Sequence, residues 1–222
     1  MSHWPKLVLF DLDGTLIDSV PDIALAINEL VAIDNLATFT VDQVRSMVGQ
    51  GVAKLVKKAY LARGLALTED ELRQKLKTMD VVYMRHLTQN TTVLPGASEA
   101  LAPRDGRQIA LVTNKLQAAT EAIVDHFGWR HLFAMILGDS GIPLKPAPDM
   151  LLYVARALDV SPRDVVMVGD STSDIVSARN AGITSVLVEG GYSDVAPADL
   201  GADMVIPSLD RLEQALASFN SR

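Results

Sequence analysis

The chain has 222 residues, enough for one large domain or one domain with an insertion, and its 49% hydrophobic content supports a substantial core. A net charge of −7 argues against a general binder of nucleic acid or anionic membranes and leaves any anionic ligand dependent on a local positive site, such as a metal or one or two lysines. No cysteine is present, which excludes disulfides, zinc–thiolate sites and thiol catalysis, and His3, His86, His126 and His131 are scattered without metal-ligand spacing.

The first predicted element is a buried strand, about Lys6 to Asp11, built on the apolar run Leu7-Val8-Leu9-Phe10. It delivers Asp11-Leu12-Asp13-Gly14-Thr15 to a strand's C-terminal edge, where ligands bind in open α/β sheets. Two carboxylates one residue apart repel each other unless a cation or a shared proton relieves them. The arrangement suits a magnesium-bound phosphate with one carboxylate free to attack phosphorus. A calcium-loop reading fails, because Leu16 stands where that loop needs glycine and no helix precedes it.

A mostly helical block follows, with no convincing strand between residues 16 and 90. Ser19-Val20-Pro21-Asp22 reads as a helix start with a capping hydroxyl, an early proline and an early acid. Thr40-Val41-Asp42-Gln43 and Thr68-Glu69-Asp70-Glu71 fit capping boxes, opening helical stretches that run through about Arg63 and His86. Gly49-Gln50-Gly51 lacks both a preceding strand and the third glycine of a dinucleotide fingerprint, and reads as a loop between two helices.

After Leu94-Pro95-Gly96 strands alternate with helices. The predicted strands are Gln108 to Thr113, Ala134 to Leu137, Asp164 to Val168, Thr184 to Val188 and a short one near Asp203 to Ile206. Helices are expected over Leu116 to Phe127, Asp149 to Leu158, Asp174 to Ala181, and from Ser208 onward. This alternation implies an α/β fold with a doubly wound, parallel, Rossmann-like sheet. The helical block before it implies an inserted domain, with residues 1–15 and 91–222 forming the core and 16–90 the insertion.

Three further motifs sit at predicted strand ends or on a braced loop. Thr113-Asn114 offers a hydroxyl and a following backbone N–H to phosphate oxygens. Lys145, stiffened by Pro143, Pro146 and Pro148, can supply a fixed positive charge. Gly169-Asp170-Ser171-Thr172-Ser173-Asp174 follows another apolar run; Asp170 could bind a hard cation, and Asp174 could hold a metal water or orient Lys145. Singly, each motif also reads as a turn, a helix cap or a solvated lysine; all in order at the ends of one parallel sheet are hard to explain that way.

Together these motifs resemble the haloacid dehalogenase-like superfamily of aspartate-nucleophile phosphotransferases: Phe10 through Ser19 for the first motif, Thr113-Asn114 for the second, Lys145-Pro146 for the third and Gly169-Asp170 through Asp174 for the fourth. The inserted block resembles that superfamily's helical C1-type cap. Within it the chain is most similar to phosphoglycolate phosphatases, through Ser19-Val20-Pro21-Asp22, Val48-Gly49-Gln50-Gly51-Val52, Leu94-Pro95-Gly96-Ala97, Val112-Thr113-Asn114-Lys115 and Gly190-Gly191-Tyr192. Ala102-Pro103-Arg104-Asp105-Gly106 and Asn180 are local departures from that pattern.

The resemblance implies a two-step phosphoryl transfer with Asp11 as nucleophile and Asp13 as general acid and base. It implies Mg2+ held by Asp11, Asp170 and the backbone carbonyl of Asp13, with Thr113, the Asn114 N–H and Lys145 on the phosphate. The cap is expected to close over the core and read the leaving group. Backbone N–H groups around Gly49 and Gly51, with Arg45 or Lys54, are the candidate readers. The expected partner is a small phosphorylated metabolite, 2-phosphoglycolate first, with no nucleic acid and no membrane. Oligomeric state is not readable from the sequence. With no leader segment and no span-length apolar run, a soluble cytoplasmic protein is the default. The rival readings are another capped phosphatase or a phosphomutase of the same superfamily, and a noncatalytic binding protein. The last predicts loss of Asp11, Asp13, Lys145 or Asp170, and none is lost.

Overall fold

The computed structural model describes residues 4–49, 51–102, 106–193 and 195–219; His3, Gln50 and Pro103 to Asp105 lie outside them. The chain divides into two compact units, one formed by Met1–Ile17 with Val93–Arg222 and the other by Asp18–Thr92. Strand β1 (Leu7–Phe10) opens the first unit, and the short β2 (Ile17–Asp18) follows, a two-residue element too brief to leave a periodic signal.

The second unit is helical: α1 (Val20–Ile33), α2 (Val41–Arg45), α3 (Val52–Leu61) and α4 (Glu69–His86). On α1, Val20, Ile23, Ala24, Ile27, Leu30 and Val31 recur at helical spacing and are buried. Both expected capping boxes are present, Thr40 with Gln43 and Thr68 with Glu71, so each starts its helix by satisfying otherwise orphaned N–H groups. Asp34 ties the end of α1 to α3 and α4, accepting from the Tyr60 hydroxyl at 2.5 Å and from Lys75 at 2.7 Å. Gly49 and Gly51 have φ of 112° and 83°, backbone that ends α2's stretch and lets α3 begin anew.

The start of α1 differs from expectation. Ser19 makes no side-chain cap bond; Asp18 Oδ1 accepts from the Val20 N–H at 3.2 Å instead. Asp22 lies in the first turn as expected, but its hydrogen bonds go elsewhere. It is fully buried and accepts from the backbone N–H groups of Asn90 and Thr91, the Asn90 amide and the Thr91 hydroxyl, at 2.7–3.0 Å. A buried carboxylate needs such donors, and α1 lies where the chain leaving α4 can supply them.

The chain returns through β3 (Thr92–Val93), which pairs with β2, and α5 (Ala97–Ala100). The strands and helices then alternate: β4 (Gln108–Leu116), α6 (Gln117–His126), β5 (Met135–Asp139), α7 (Asp149–Ala157), β6 (Val165–Gly169), α8 (Thr172–Ala181), β7 (Thr184–Val188), α9 (Pro197–Leu200), β8 (Met204–Ile206) and α10 (Leu212–Phe219). The six long-range strands form one parallel sheet in the order β5-β4-β1-β6-β7-β8.

Strands β1 and β6 are buried along their whole length, as parallel strands covered on both faces must be. Leu7 and Leu9 join Met150, Leu151 and Val154 of α7 and Ala178 of α8 in one core cluster. Val8 and Phe10 point to the opposite face, near Ala100 of α5 and Leu212 of α10. Each fully buried Leu, Val or Phe contributes roughly 1.5–3 kcal/mol relative to exposure. The sequence order runs outward from β1 to β4 and β5, then resumes on the other side with β6. That reversal leaves a crevice at the C-terminal ends of β1, β4 and β6, the place such sheets bind ligands.

Candidate active site

The register of the sheet brings the motifs to that crevice. Phe10 pairs with Leu111 on one side and Val168 on the other, so the chain positions just beyond them, Asp11, Thr113 and Asp170, emerge together. The Asp11 N–H continues the ladder, donating to Val168 O at 2.9 Å.

Lys145 is 4% exposed despite its charge. Its ammonium donates to Val112 O at 2.7 Å and to Asp174 Oδ1 at 2.6 Å, and lies 2.9 Å from Asp11 Oδ1 as an ion pair. Burial opposes its charge, but Asp11 and Asp174 outweigh that and hold its pKa above the ordinary lysine value. The loop carrying it is braced by Asn114, whose side chain accepts from the Lys145 N–H at 2.9 Å and donates to the Lys145 carbonyl at 2.8 Å. Asn180 adds a bond from its amide to Pro146 O at 3.2 Å.

Asp11 is 8% exposed and its Oδ1 makes no aligned hydrogen bond among the described residues, so its contact with Lys145 is an ion pair. Burial raises its pKa to about 6; Lys145 pulls against this and Asp174 adds to it. Asp170 is held between Thr15, whose hydroxyl donates to Oδ1 at 3.0 Å, and Tyr192, whose N–H donates to Oδ2 at 2.7 Å. Its pKa also rises well above the ordinary value, through burial first and then the charges of Asp174 and Asp11. Gly14 and Gly191 flank this carboxylate so closely that a Cβ at either would collide with it. Asp174 is fully buried; besides Lys145 it accepts from the Ser171 N–H at 3.0 Å and hydroxyl at 2.6 Å.

One oxygen each from Asp11, Asp170 and Asp174 lie within 4.8 Å of one another. Three buried carboxylates cluster beside the ammonium of Lys145, and burial first, then mutual repulsion, raises the pKa values of Asp11 and Asp170. A hard divalent cation with oxygen ligands fits that surplus of negative charge. Asp174 has its charge met by the Lys145 ammonium, whereas Asp170 accepts from neutral donors, Thr15 and Tyr192, and so keeps a charge for a cation to meet beside Asp11.

Asp13 stands apart from this cluster: its carboxylate is paired with Lys115 at 2.7 Å. Thr113 is buried at the end of the regular part of β4, and its Oγ1 accepts from the Lys115 N–H at 3.4 Å. Arg45, Gly49, Gly51 and Lys54 belong to the helical unit. There Arg45 is committed to Asp18 at 2.9 Å, while Lys54 is exposed. Sequence reasoning placed Thr15, Lys115, Ser171 and Tyr192 within its motifs but named none of them as a site residue. Thr15, Lys115 and Ser171 lie beside the chemical residues of their own motifs, a signal available in the sequence, whereas the bond from Tyr192 to Asp170 is made only by the fold.

The chain resembles known proteins over its whole length. It is 36% identical over 211 residues to a phosphoglycolate phosphatase of Chromobacterium violaceum, covering 93% of this chain and 94% of that one. A phosphoglycolate phosphatase of Nitrosococcus oceani is 32% identical over 222 residues, 98% of this chain and 99% of the other. The crystal structure of a predicted phosphoglycolate phosphatase from Haemophilus somnus superposes with a TM-score of 0.88 at 31% identity, covering 95% and 97% of the two chains. The model of the haloacid dehalogenase-like hydrolases matches residues 5–182, a span that runs from the start of β1 past the end of α8 and takes in Asp11, Lys145, Asp170 and Asp174. The chain therefore belongs to the haloacid dehalogenase-like hydrolase family.

Proposed function

We propose that this protein is a magnesium-dependent phosphomonoesterase that works through an aspartyl phosphate on Asp11, with 2-phosphoglycolate as its preferred substrate. That it is a phosphoric monoester hydrolase follows from its family and relatives. The observation that carries the mechanistic reading is the buried Asp11 oxygen held 2.9 Å from Lys145 beside Asp170.

In this reading Asp11 attacks phosphorus, forming an O–P bond as the bond to the leaving oxygen breaks, and Asp13 gives that oxygen a proton. Water then attacks phosphorus, Asp13 takes its proton, and the bond to Asp11 breaks. Lys145, fixed by its bonds to Val112 O and Asp174 and its ion pair with Asp11, holds positive charge against the transferring group, with Thr113 and the Asn114 N–H beside it; such preorganised charge is the main catalytic resource in phosphoryl transfer. Asp11, Asp170 and the Asp13 carbonyl would hold Mg2+, which when bound supplies charge neutralisation at the phosphate oxygens.

The helical unit, Asp18–Thr92, is read as the cap expected over residues 16–90, with Gly49, Gly51, Arg45 and Lys54 as candidates for the substrate carboxylate. Arg45's pairing with Asp18 means it must exchange that partner to serve. Phosphate release with Mg2+ should show a higher kcat/KM for 2-phosphoglycolate than for an aryl phosphate or a hexose phosphate. No advantage would end the substrate assignment, and an isomerised product in place of free phosphate would favour a mutase.

A further inference from the structure

Lys115 Nζ donates to both carboxylate oxygens of Asp13, at 2.8 Å and 2.7 Å. The lysine side chain is 6% exposed and the Asp13 side chain 17%. Most lysines keep their ammonium in water; one withdrawn this far and set on both oxygens of a carboxylate across 102 residues of sequence is placed by the fold.

The placement has a visible cause. Between Val112 and Leu116, β4 advances four residues while its partner β5 advances two, from Leu137 to Asp139. Extra residues in one strand bend it and re-aim its side chains, a device common beside active sites. Here the irregular stretch is Thr113-Asn114-Lys115. Asn114 turns to the Lys145 loop and Lys115 turns to Asp13. One bulge thus serves both sides of the crevice: it braces the cation beside Asp11 and grips the acid two residues further on.

We infer that Lys115 is the positioning residue for Asp13. It holds the carboxylate in the orientation from which a proton reaches the leaving oxygen in the first step and is taken from water in the second. Lys115 itself neither gives nor accepts that proton. This inference rests on the reading of Asp13 as the proton-transfer group. Two contacts to the two oxygens of one carboxylate restrict its rotation as a single contact cannot, and misplacing a reacting group by about 1 Å can cost about a hundredfold in rate.

The test is a double-mutant cycle read with two leaving groups. Lys115→Met should lower kcat/KM for 2-phosphoglycolate, a poor alkoxide leaving group, by about 10- to 100-fold, and should lower it much less for an aryl phosphate with an acidic phenol. Lys115→Arg, which can also grip both oxygens, should recover part of the loss. In an Asp13→Asn background, Lys115→Met should cost no more than about threefold, because residues acting through one another are not additive. Losses that multiply in the double variant would overturn the inference, as would a loss that follows the negative charge of the substrate and ignores leaving-group acidity, since that would make Lys115 a substrate contact. If Lys115→Met does not fold, Lys115→Gln is judged by the same two criteria. An Asp13→Asn variant with no leaving-group dependence would sink the underlying reading of Asp13; a normal Asp13→Asn result with an unaffected Lys115 variant would sink this inference alone.

Discussion

Lys145 Nζ and Asp174 Oδ1 lie 2.6 Å apart, joining a loop before α7 to the first turn of α8, and neither side chain is more than 2% exposed. Without Asp174, Lys145 keeps Asp11 and Val112 O, but the buried Ser171 N–H and hydroxyl lose their acceptor, at a cost of about 1–3 kcal/mol each. Asp174→Ala is therefore expected to lower the thermal midpoint sharply and to release Lys145 from its fixed position, reducing turnover as well. Asp174→Asn, which keeps an acceptor for one of its donors, should be less destabilised. Differential scanning calorimetry with parallel turnover measurements checks both. An alanine variant of wild-type stability would mean that the pair holds nothing in place.

Asp11→Asn should separate stability from chemistry. Turnover should fall by at least about three orders of magnitude, since the attacking carboxylate is gone. The metal-free variant should be as stable as the parent or more so, because one charge leaves a cluster of buried acids with one lysine among them. Near-parental turnover would rule out Asp11 as nucleophile.

The raised acids make metal binding depend on pH. Burial lifts the Asp11 pKa from 3.8 to about 6, so between those values the metal-free folded chain binds more protons at Asp11 than the unfolded chain does. Asp11's contribution to folding stability is thus greatest at low pH and is lost as pH rises through about 6. Mg2+ competes with those protons, so its affinity should increase over the same window and its binding should release protons. Calorimetric titration at pH near 6 in two buffers of different ionisation enthalpy measures this, and zero proton release would contradict it.

A Cβ at position 191 would come within 2.2 Å of the Asp170 carboxylate. Gly191→Ala should push the carboxylate off its bonds to Thr15 and Tyr192 and raise the Mg2+ concentration needed for half-maximal activity by roughly tenfold, the lower end of the usual cost of losing a ligand's support. An unchanged metal requirement would show that Asp170 is not a ligand or that the loop yields without consequence.

Asp22 is expected to matter for folding. Asp22→Ala strands two buried backbone N–H groups and the polar side chains of Asn90 and Thr91, and should cost about 2–4 kcal/mol. A urea titration reads this as a lower midpoint at unchanged slope.

By itself the sequence determined the order of the six sheet strands and the longer helices, because apolar runs of four to five residues and capping boxes are local patterns; β2, β3, α5 and α9, of two to four residues, are too short to leave one. It also determined which carboxylates and which lysine were candidates, because Asp11, Asp13, Lys145, Asp170 and Asp174 sit at the ends of such runs or between prolines. Only the tertiary structure decided their partners. Asp22 reads locally as a helix-start acid, yet its donors come from Asn90 and Thr91, and no local pattern announces a contact 68 residues away. Lys115 reads as the polar residue after a strand; its claim on Asp13 comes from a four-against-two mismatch between β4 and β5. Tyr192 meets Asp170 because β6 and β7 are neighbours in the sheet, and the loop after β7 can cross the end of β6. Local propensity is set by spacing along the chain. Pairing of buried charges is set by which strand ends the sheet order brings together, and that order emerges only when the whole core packs.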